Sequence, residues 1–184
     1  MEGSDYDLIK AVGKGDEGAF ECLMRRYRKS VLNFVYRHIG DRYMAEDLTQ
    51  EVFLRTYLAS ARFVPTGKVR TWIFKIAYNL CLNEIKRMAR LRRLRDELDA
   101  HQAITCESPA AGGARSGVEE VEAVLEALSR LPEPQRAALL LRAGEGLSYA
   151  EIGQVLSLSV SGVESLLFRA RTNLRQIVQI CGKG

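Results

Sequence analysis

The sequence predicts an all-α protein made of two helical domains joined by a flexible linker. Three observations lead there. Apolar residues recur at three- and four-residue steps along most of the chain, and no strand-period segment of useful length interrupts them. One internal stretch, CESPAAGGARSG (residues 106–117), is rich in Ser, Pro and Gly and has almost nothing to bury. The length of 184 residues suits one medium or two small domains, at roughly 150 residues per domain. The expected limits are 1–95 for the first domain, 96–117 for the linker and 118–184 for the second domain.

The elements follow in order. A short helix over SDYDLIKAV is capped by Ser4 or Asp5 and stops at Gly13-Lys14-Gly15. From Asp16 onward, Phe20, Leu23, Met24, Tyr27, Val31, Phe34 and Val35 form the apolar stripe of a long helix that Gly40 ends. Asp41 caps a third helix whose core stripe is Ala45, Leu48, Val52 and Ala59. Its opposite side carries Asp47, Gln50, Glu51, Leu54 and Leu58, which suits either a plain solvated face or a second face that a partner buries. The loop RFVPTGK, punctuated by Pro65 and Gly67, leads into a helix from about Val69 to Leu94.

The second domain splits into four helical pieces, with Pro132 at a helix boundary and a turn at Gly144-Glu145-Gly146. Ser148 caps a short helix through Leu156 that turns Ile152 and Val155 or Leu156 inward. The tight turn SLS (157–159) leads to a last helix capped by Ser159. There Val163, Leu167, Ala170, Leu174 and Ile177 make the buried stripe, while Ser165, Phe168, Arg169 and Thr172 point away. This is the layout of a helix-turn-helix, in which the second helix meets the major groove of DNA. Three-helix units that never touch DNA share the same spacing.

Charge and composition narrow the function classes. A formal net charge of +4 is mild, but its distribution is not. Between residues 70 and 95, Arg70, Lys75, Lys86, Arg87, Arg90, Arg92, Arg93 and Arg95 face only Glu84, a local balance of +7. Such a run is the footprint of a polyanion partner. No apolar run approaches the ~18 residues of a membrane span, and MEGSDYDLIK lacks the features of a signal peptide, so a cytoplasmic protein with no direct membrane insertion is expected. Cys22, Cys81, Cys106 and Cys181 show no CxxC pairing and read as reduced thiols. His101 and Cys106 would supply an incomplete zinc site. With no Gly-rich phosphate loop and no nucleophile–base pair in the sequence, no catalytic residue, metal or cofactor is expected.

The helix RTWIFKIAYNLCLNEIKR (70–87) carries the sharpest signal. On a helical wheel Phe74, Ala77, Tyr78, Cys81, Ile85 and Met88 share the core side, and Trp72, Lys75, Asn79, Asn83 and Lys86 share the other, with Ile76 and Leu80 between. An indole can stack on an unpaired base, an amide can bond its edge, and cations can hold its phosphates. The alternative is an indole packed on Ile76 and the loop, with Asn79 capping a backbone group.

Taken in series, the two domains resemble the extracytoplasmic-function sigma factors of bacterial RNA polymerase, of the sigma-70 family. AEDLTQEVFLRTY resembles region 2.2 of that family, RTWIFKIAYNLCLNEIKR its regions 2.3–2.4, and LPEPQRAALLLRAGEGLSYAEIGQVLSLSVSGVESLLFRARTNLR its region 4. The resemblance implies a transcription initiation factor, acting in stress response. In such a factor Asp47, Gln50, Glu51, Leu54 and Arg55 dock on the clamp helices of the polymerase β′ subunit. It implies that the loop from Phe63 to Lys68, with Trp72, Lys75, Asn79, Asn83, Lys86 and Arg87, melts and holds the minus-ten promoter element. Region 4 would sit on the β flap and read the minus-thirty-five element through Glu164, Ser165, Phe168, Arg169, Arg171 and Thr172. Glu164 and Leu166 stand where members of the family often carry basic residues. An anti-sigma factor, often membrane-anchored, is the further partner implied. A helix-turn-helix regulator that works without polymerase is the rival class, and it leaves the first domain's second face and its Trp72 helix without a use.

Overall fold

The computed structural model describes residues 3–64, 67–99 and 116–181. The expectations placed on Pro65, His101, Cys106 and residues 100–115 of the linker lie outside the described residues.

Polar caps set the helix starts. Ser4 accepts from Asp7 N–H (3.2 Å) to open α1 (Asp5–Val12), Asp16 from Ala19 N–H (2.9 Å) to open α2 (Glu17–Ile39), and Asp41 from Met44 N–H (2.8 Å) to open α3 (Arg42–Ser60). Each satisfies a backbone donor that the helix cannot, worth about 1 kcal/mol. Gly40 ends α2 in the left-handed region at φ 84°, where a side chain would be strained.

The core stripe of α3 differs from the one the sequence suggests. Ala45 and Val52 are buried, but so are Thr49, Phe53, Thr56 and Ser60, while Leu48 and Ala59 are only part-buried. The threonines reach the interior because their hydroxyls donate to carbonyls one turn back, Thr49 to Ala45 (2.6 Å) and Thr56 to Val52 (2.8 Å). A hydroxyl satisfied by its own helix costs little to bury.

The next helix, α4, runs from Val69 to Asp99, five residues beyond the expected Leu94. It packs on α2 and α3 through Ile73, Phe74, Ala77, Leu80 and Cys81, all buried. Ile85 and Met88 fall only partly inside. Burial pushes the Cys81 thiol up to about 12, so this thiol is an inert core residue.

The second domain starts with α5 (Ser116–Ser129), two residues before the expected Val118, followed by α6 (Glu133–Leu139). A single π turn over Leu140–Gly144, closed by a bond from Glu145 N–H to Leu140 O at 3.2 Å, then leads into the expected turn, where Gly146 takes φ 66°. The next helix, α7 (Tyr149–Leu156), begins with a reciprocal capping box. Ser148 Oγ accepts from Glu151 N–H (3.3 Å) and the Glu151 carboxylate accepts from Ser148 N–H (2.8 Å). After a left-handed Ser157, α8 (Val160–Cys181) crosses back with Val163, Leu167 and Ala170 buried. Gly153 lies at the crossing, where an added Cβ would sit 2.6 Å from the Leu158 carbonyl oxygen.

The two domains touch. The α7 helix lies on α4, and α5 and the π turn lie on α2. One apolar cluster runs from Leu8 to Leu167 across both. Polar groups stud the seam. His38 Nε2 meets Glu133 at 3.1 Å, Tyr78 donates to the other Glu133 oxygen at 3.3 Å, and Arg136 donates to the His38 carbonyl at 2.7 Å. Arg70 pairs with Glu145 (3.0 Å) and Lys68 with Glu151 (2.9 Å). Lys68 is largely exposed, so its pair is worth at most about 1 kcal/mol. The Glu145 side chain is only 8% exposed but its partner Arg70 is 36% exposed, so this pair is screened less than the Lys68 pair and more than a fully buried one. Three buried side-chain atoms have no hydrogen-bond partner among the described residues: His38 Nδ1, Thr71 Oγ1 and Arg136 Nε. Two belong to the seam and the third neighbours Trp72. Each costs about 1–3 kcal/mol relative to a hydrated group, which weakens the docked state against a separated one. No helix among the described residues is long and apolar enough to cross a membrane.

Gly153→Ala should lower stability by about 1–3 kcal/mol, because its methyl group meets backbone rather than a movable side chain; chemical denaturation measures it. His38 is fully buried, and burial pulls its imidazole below the ordinary value of 6.5 more strongly than Glu133 pulls it up. The depressed group stays neutral in the folded chain while the unfolded chain takes up the proton. Stability is therefore complete above about pH 6.5 and falls as the pH drops below it. Denaturation midpoints between about pH 7 and 5 should slope in the wild type and flatten in His38→Gln.

Candidate nucleic-acid interface

The loop before α4 folds back so that Phe63 meets Trp72 at 4.9 Å between ring centroids, with Tyr6 behind Phe63 at 6.5 Å. The indole is therefore neither fully outward nor sealed: it is half-buried, with one edge held by Phe63. Beside it opens a pocket of about 380 Å³, lined by Phe63, Gly67, Lys68, Thr71, Trp72 and Lys75, and by Gln154 from α7. That volume lies within the ~300–1,000 Å³ range of small-molecule sites. Trp72 also lines a second depression of about 410 Å³ with Arg55, Leu58, Arg62 and Ile76.

Further along the same edge of α4, Lys75, Asn79, Asn83, Lys86 and Arg87 are all exposed, Arg90 and Arg93 continue the row, and Arg92 and Arg95 are exposed on other sides of the helix. The Arg87 guanidinium is paired with Glu84 at 2.6 and 2.8 Å, which holds that carboxyl below its usual range. Here helical spacing has put an aromatic face, two amides and a line of cations in sequence, a surface suited to stacking, edge recognition and phosphate contact.

A second concave surface lies between α2 and α3. Asp47, Gln50, Glu51 and Leu54 line a groove of about 820 Å³. Arg55 is exposed at its edge and bridges Glu51 at 2.7 Å. Leu54 is 51% and Leu58 68% exposed. The other wall comes from α2 through Glu17, Phe20, Glu21 and Met24, none of which the sequence reading assigned to a site. Phe20 and Met24 belong by spacing to the core stripe of α2, but both are only part-buried. Phe20 and Tyr57 meet edge-on at 5.2 Å on the floor, giving an apolar trough with an acidic rim.

The third surface is α8. Glu164, Ser165, Phe168, Arg169, Arg171 and Thr172 are all exposed, and Phe168 stands 71% free. Thr172 donates to the Phe168 carbonyl (3.1 Å) and Arg169 to that of Ser165 (3.3 Å). Leu166 is part-buried against the core, so its apolar side chain serves packing. Asn173 ties the helix to Gln135 of α6 at 2.8 Å, which fixes the rotation of the exposed face.

Two family profiles match the chain. A family profile described as Sigma-70 region 2 covers residues 23–91, and one described as Sigma-70, region 4 covers residues 121–174. The RNA polymerase sigma-H factor of Pseudomonas aeruginosa is 34% identical over 95% of this chain and 94% of its own length. The ECF RNA polymerase sigma-E factor of Escherichia coli is 34% identical over 96% of this chain and 95% of its own. Among solved structures, CnrH in complex with the cytosolic domain of CnrY is similar at a TM-score of 0.74 and 24% identity, covering 97% of this chain and 99% of that one. The sigma factor RpoE in complex with the anti-sigma factor NepR from Bartonella quintana is similar at 0.65 and 21% identity, covering 88% and 97%.

Proposed function

The chain belongs to the extracytoplasmic-function sigma factors of bacterial RNA polymerase, and we propose how its surfaces divide that work. The α2–α3 groove, with Asp47, Gln50, Glu51, Leu54 and Arg55, seats the polymerase clamp helices. The pocket beside Trp72 takes a base unstacked from the minus-ten element, while Asn79 and Asn83 meet neighbouring bases. Lys68, Lys75, Lys86 and Arg87 hold the phosphates. The exposed face of α8 reads the minus-thirty-five element, with Arg169 and Arg171 on phosphate or guanine and Glu164 able to accept from a cytosine amino group. The observation that carries this reading is the half-buried Trp72 indole, lining a pocket with Lys68 and Lys75 on a helix whose opposite face buries Phe74, Ala77 and Cys81.

The division follows from energetics. A few phosphate contacts per domain give only non-specific affinity, with Kd about 10⁻⁴–10⁻⁶ M. Joining two such domains on one polymerase makes the second contact intramolecular and gains roughly 10²–10⁴. The apolar, acid-rimmed trough is also the surface an anti-sigma factor would cover, so polymerase and anti-sigma factor compete for it. The site of action is the cytoplasm, where polymerase and promoter meet.

Trp72→Ala should weaken open-complex formation by the worth of one stacked base, about 1–3 kcal/mol, with Asn79→Ala a milder loss. Both should leave polymerase binding and the circular dichroism spectrum unchanged; permanganate reactivity of the melted strand is the readout. A combined Asp47→Ala, Glu51→Ala and Leu54→Ala variant should lose core polymerase and the anti-sigma factor together in pull-down while still folding. Retention of polymerase would place that interface elsewhere.

A further inference from the structure

The row of rings beside the base pocket does not end at Trp72. Phe63 meets Trp72 on one side and Tyr6 of α1 on the other, at 4.9 and 6.5 Å between centroids. Phe63 is also a wall shared by two pockets. One is the pocket beside Trp72. The other, of about 290 Å³, is lined by Tyr6, Lys10 and Lys14, with Ser60 and Ala61 at the end of α3. Gly13 brings the end of α1 close against α3, where an added Cβ would sit 3.1 Å from the Ser60 carbonyl oxygen. Buried Leu8, Ile9 and Val12 hold α1 from beneath, and Asp5 ties it to Tyr27 and Arg26. That anchoring turns the Tyr6 ring, 43% exposed, and the Lys10 side chain to the surface. No carboxylate lines this second pocket. Neither Lys10 nor Lys14 forms an ion pair among the described residues. The helix dipole favours a cation at Lys10, in the last turn of α1. It does not account for an aromatic ring left uncovered beside two cations.

We propose that the α1 pocket is a second single-stranded DNA site: it takes the nucleotide adjoining the unstacked base across Phe63, with Tyr6 stacked on its base and Lys10 and Lys14 on its phosphates. The site rests on the base-pocket reading given above. Grooves that hold single strands combine cations along the backbone with aromatic rings for successive bases. Trp72, Phe63 and Tyr6 supply the rings. Lys68 and Lys75 line the first pocket, and Lys10 and Lys14 line the second. Asn79 and Asn83 lie further along α4 than Trp72, so the α1 pocket extends the path of the strand at its opposite end. Every base has a π face, so stacking on Tyr6 accepts any of them and adds affinity without adding promoter specificity. Both pockets require an unpaired strand, and a contact made only with that form shifts the promoter toward it. The short α1 helix thereby joins the melting surface, although its other contacts only brace α2 and α3.

The test follows fluorescence anisotropy of a short labelled DNA single strand of mixed sequence, titrated with the full chain over a series of salt concentrations. Tyr6→Leu keeps an apolar side chain against Phe63 and removes the stacking ring. Lys10→Gln/Lys14→Gln removes the two cations from exposed positions, where folding does not depend on them. Arg28→Gln/Lys29→Gln, exposed on α2 and lining neither pocket, controls for net charge. Trp72→Ala reports on the base pocket separately, and circular dichroism checks that each variant is folded. Tyr6→Leu should weaken binding roughly tenfold, the worth of one stacked base. The lysine pair should lower the slope of log affinity against log salt by roughly 1.4, at ~0.7 per phosphate contact, while the control keeps the wild-type slope. If Trp72→Ala binds weakly but Tyr6→Leu binds as wild type, or the lysine pair matches the control, the second site is overturned and the base pocket stands. Wild-type binding by Trp72→Ala overturns the base pocket instead, and with it a strand shared across Phe63.

Discussion

Everything in this molecule depends on α4 keeping two faces apart. Ile73, Phe74, Ala77 and Cys81 are fully buried against α2 and α3, and this packing fixes the rotation of the helix about its own axis. At 100° per residue, that rotation leaves Lys75, Asn79, Asn83 and Lys86 no place but the surface. Burying one large apolar side chain is worth about 1.5–3 kcal/mol, so several of them outweigh any preference the polar row has. The functional edge is positioned by the core behind it rather than by contacts of its own. The same logic holds for α8, where Val163, Leu167 and Ala170 are locked inside and Phe168 and Arg169 are thereby displayed.

The two domains cooperate through a seam that is a compromise. Its apolar part is continuous with both cores, which favours docking. Its polar part strands buried nitrogen atoms, which disfavours it. The ion pairs fall between these, since Lys68 remains in water and gains little from Glu151, whereas Glu145 is shielded and depends on Arg70. An interface assembled from opposing terms of similar size is suited to being parted and remade.

Helix existence was legible in the sequence because caps and apolar spacing are local signals. Ser4, Asp16, Asp41, Ser148 and Ser159 all start helices as their residue types suggest. The face of α4 that carries Asn79 and Asn83 was legible too, since a strong core stripe defines its opposite. What escaped was whatever depends on a neighbour. Thr49 and Thr56 look polar in sequence yet are core, because their hydroxyls are satisfied within the helix. Phe20 and Met24 look like core yet wall a groove that exists only once α3 lies alongside. Gln154 belongs to the pocket of a domain more than 80 residues earlier in the chain, and no local pattern could announce it. The half-burial of Trp72 follows from Phe63 folding back on it, a loop conformation that spacing cannot encode.

The domain contact bears on how much of the protein a cell must make. Ligands of the separated form see only the fraction of molecules that are separated, and apparent affinity drops in proportion: with ~1% apart, binding is ~100-fold weaker than the intrinsic value. The half-saturation point moves to higher abundance by that same factor, while the shape of the response is unchanged.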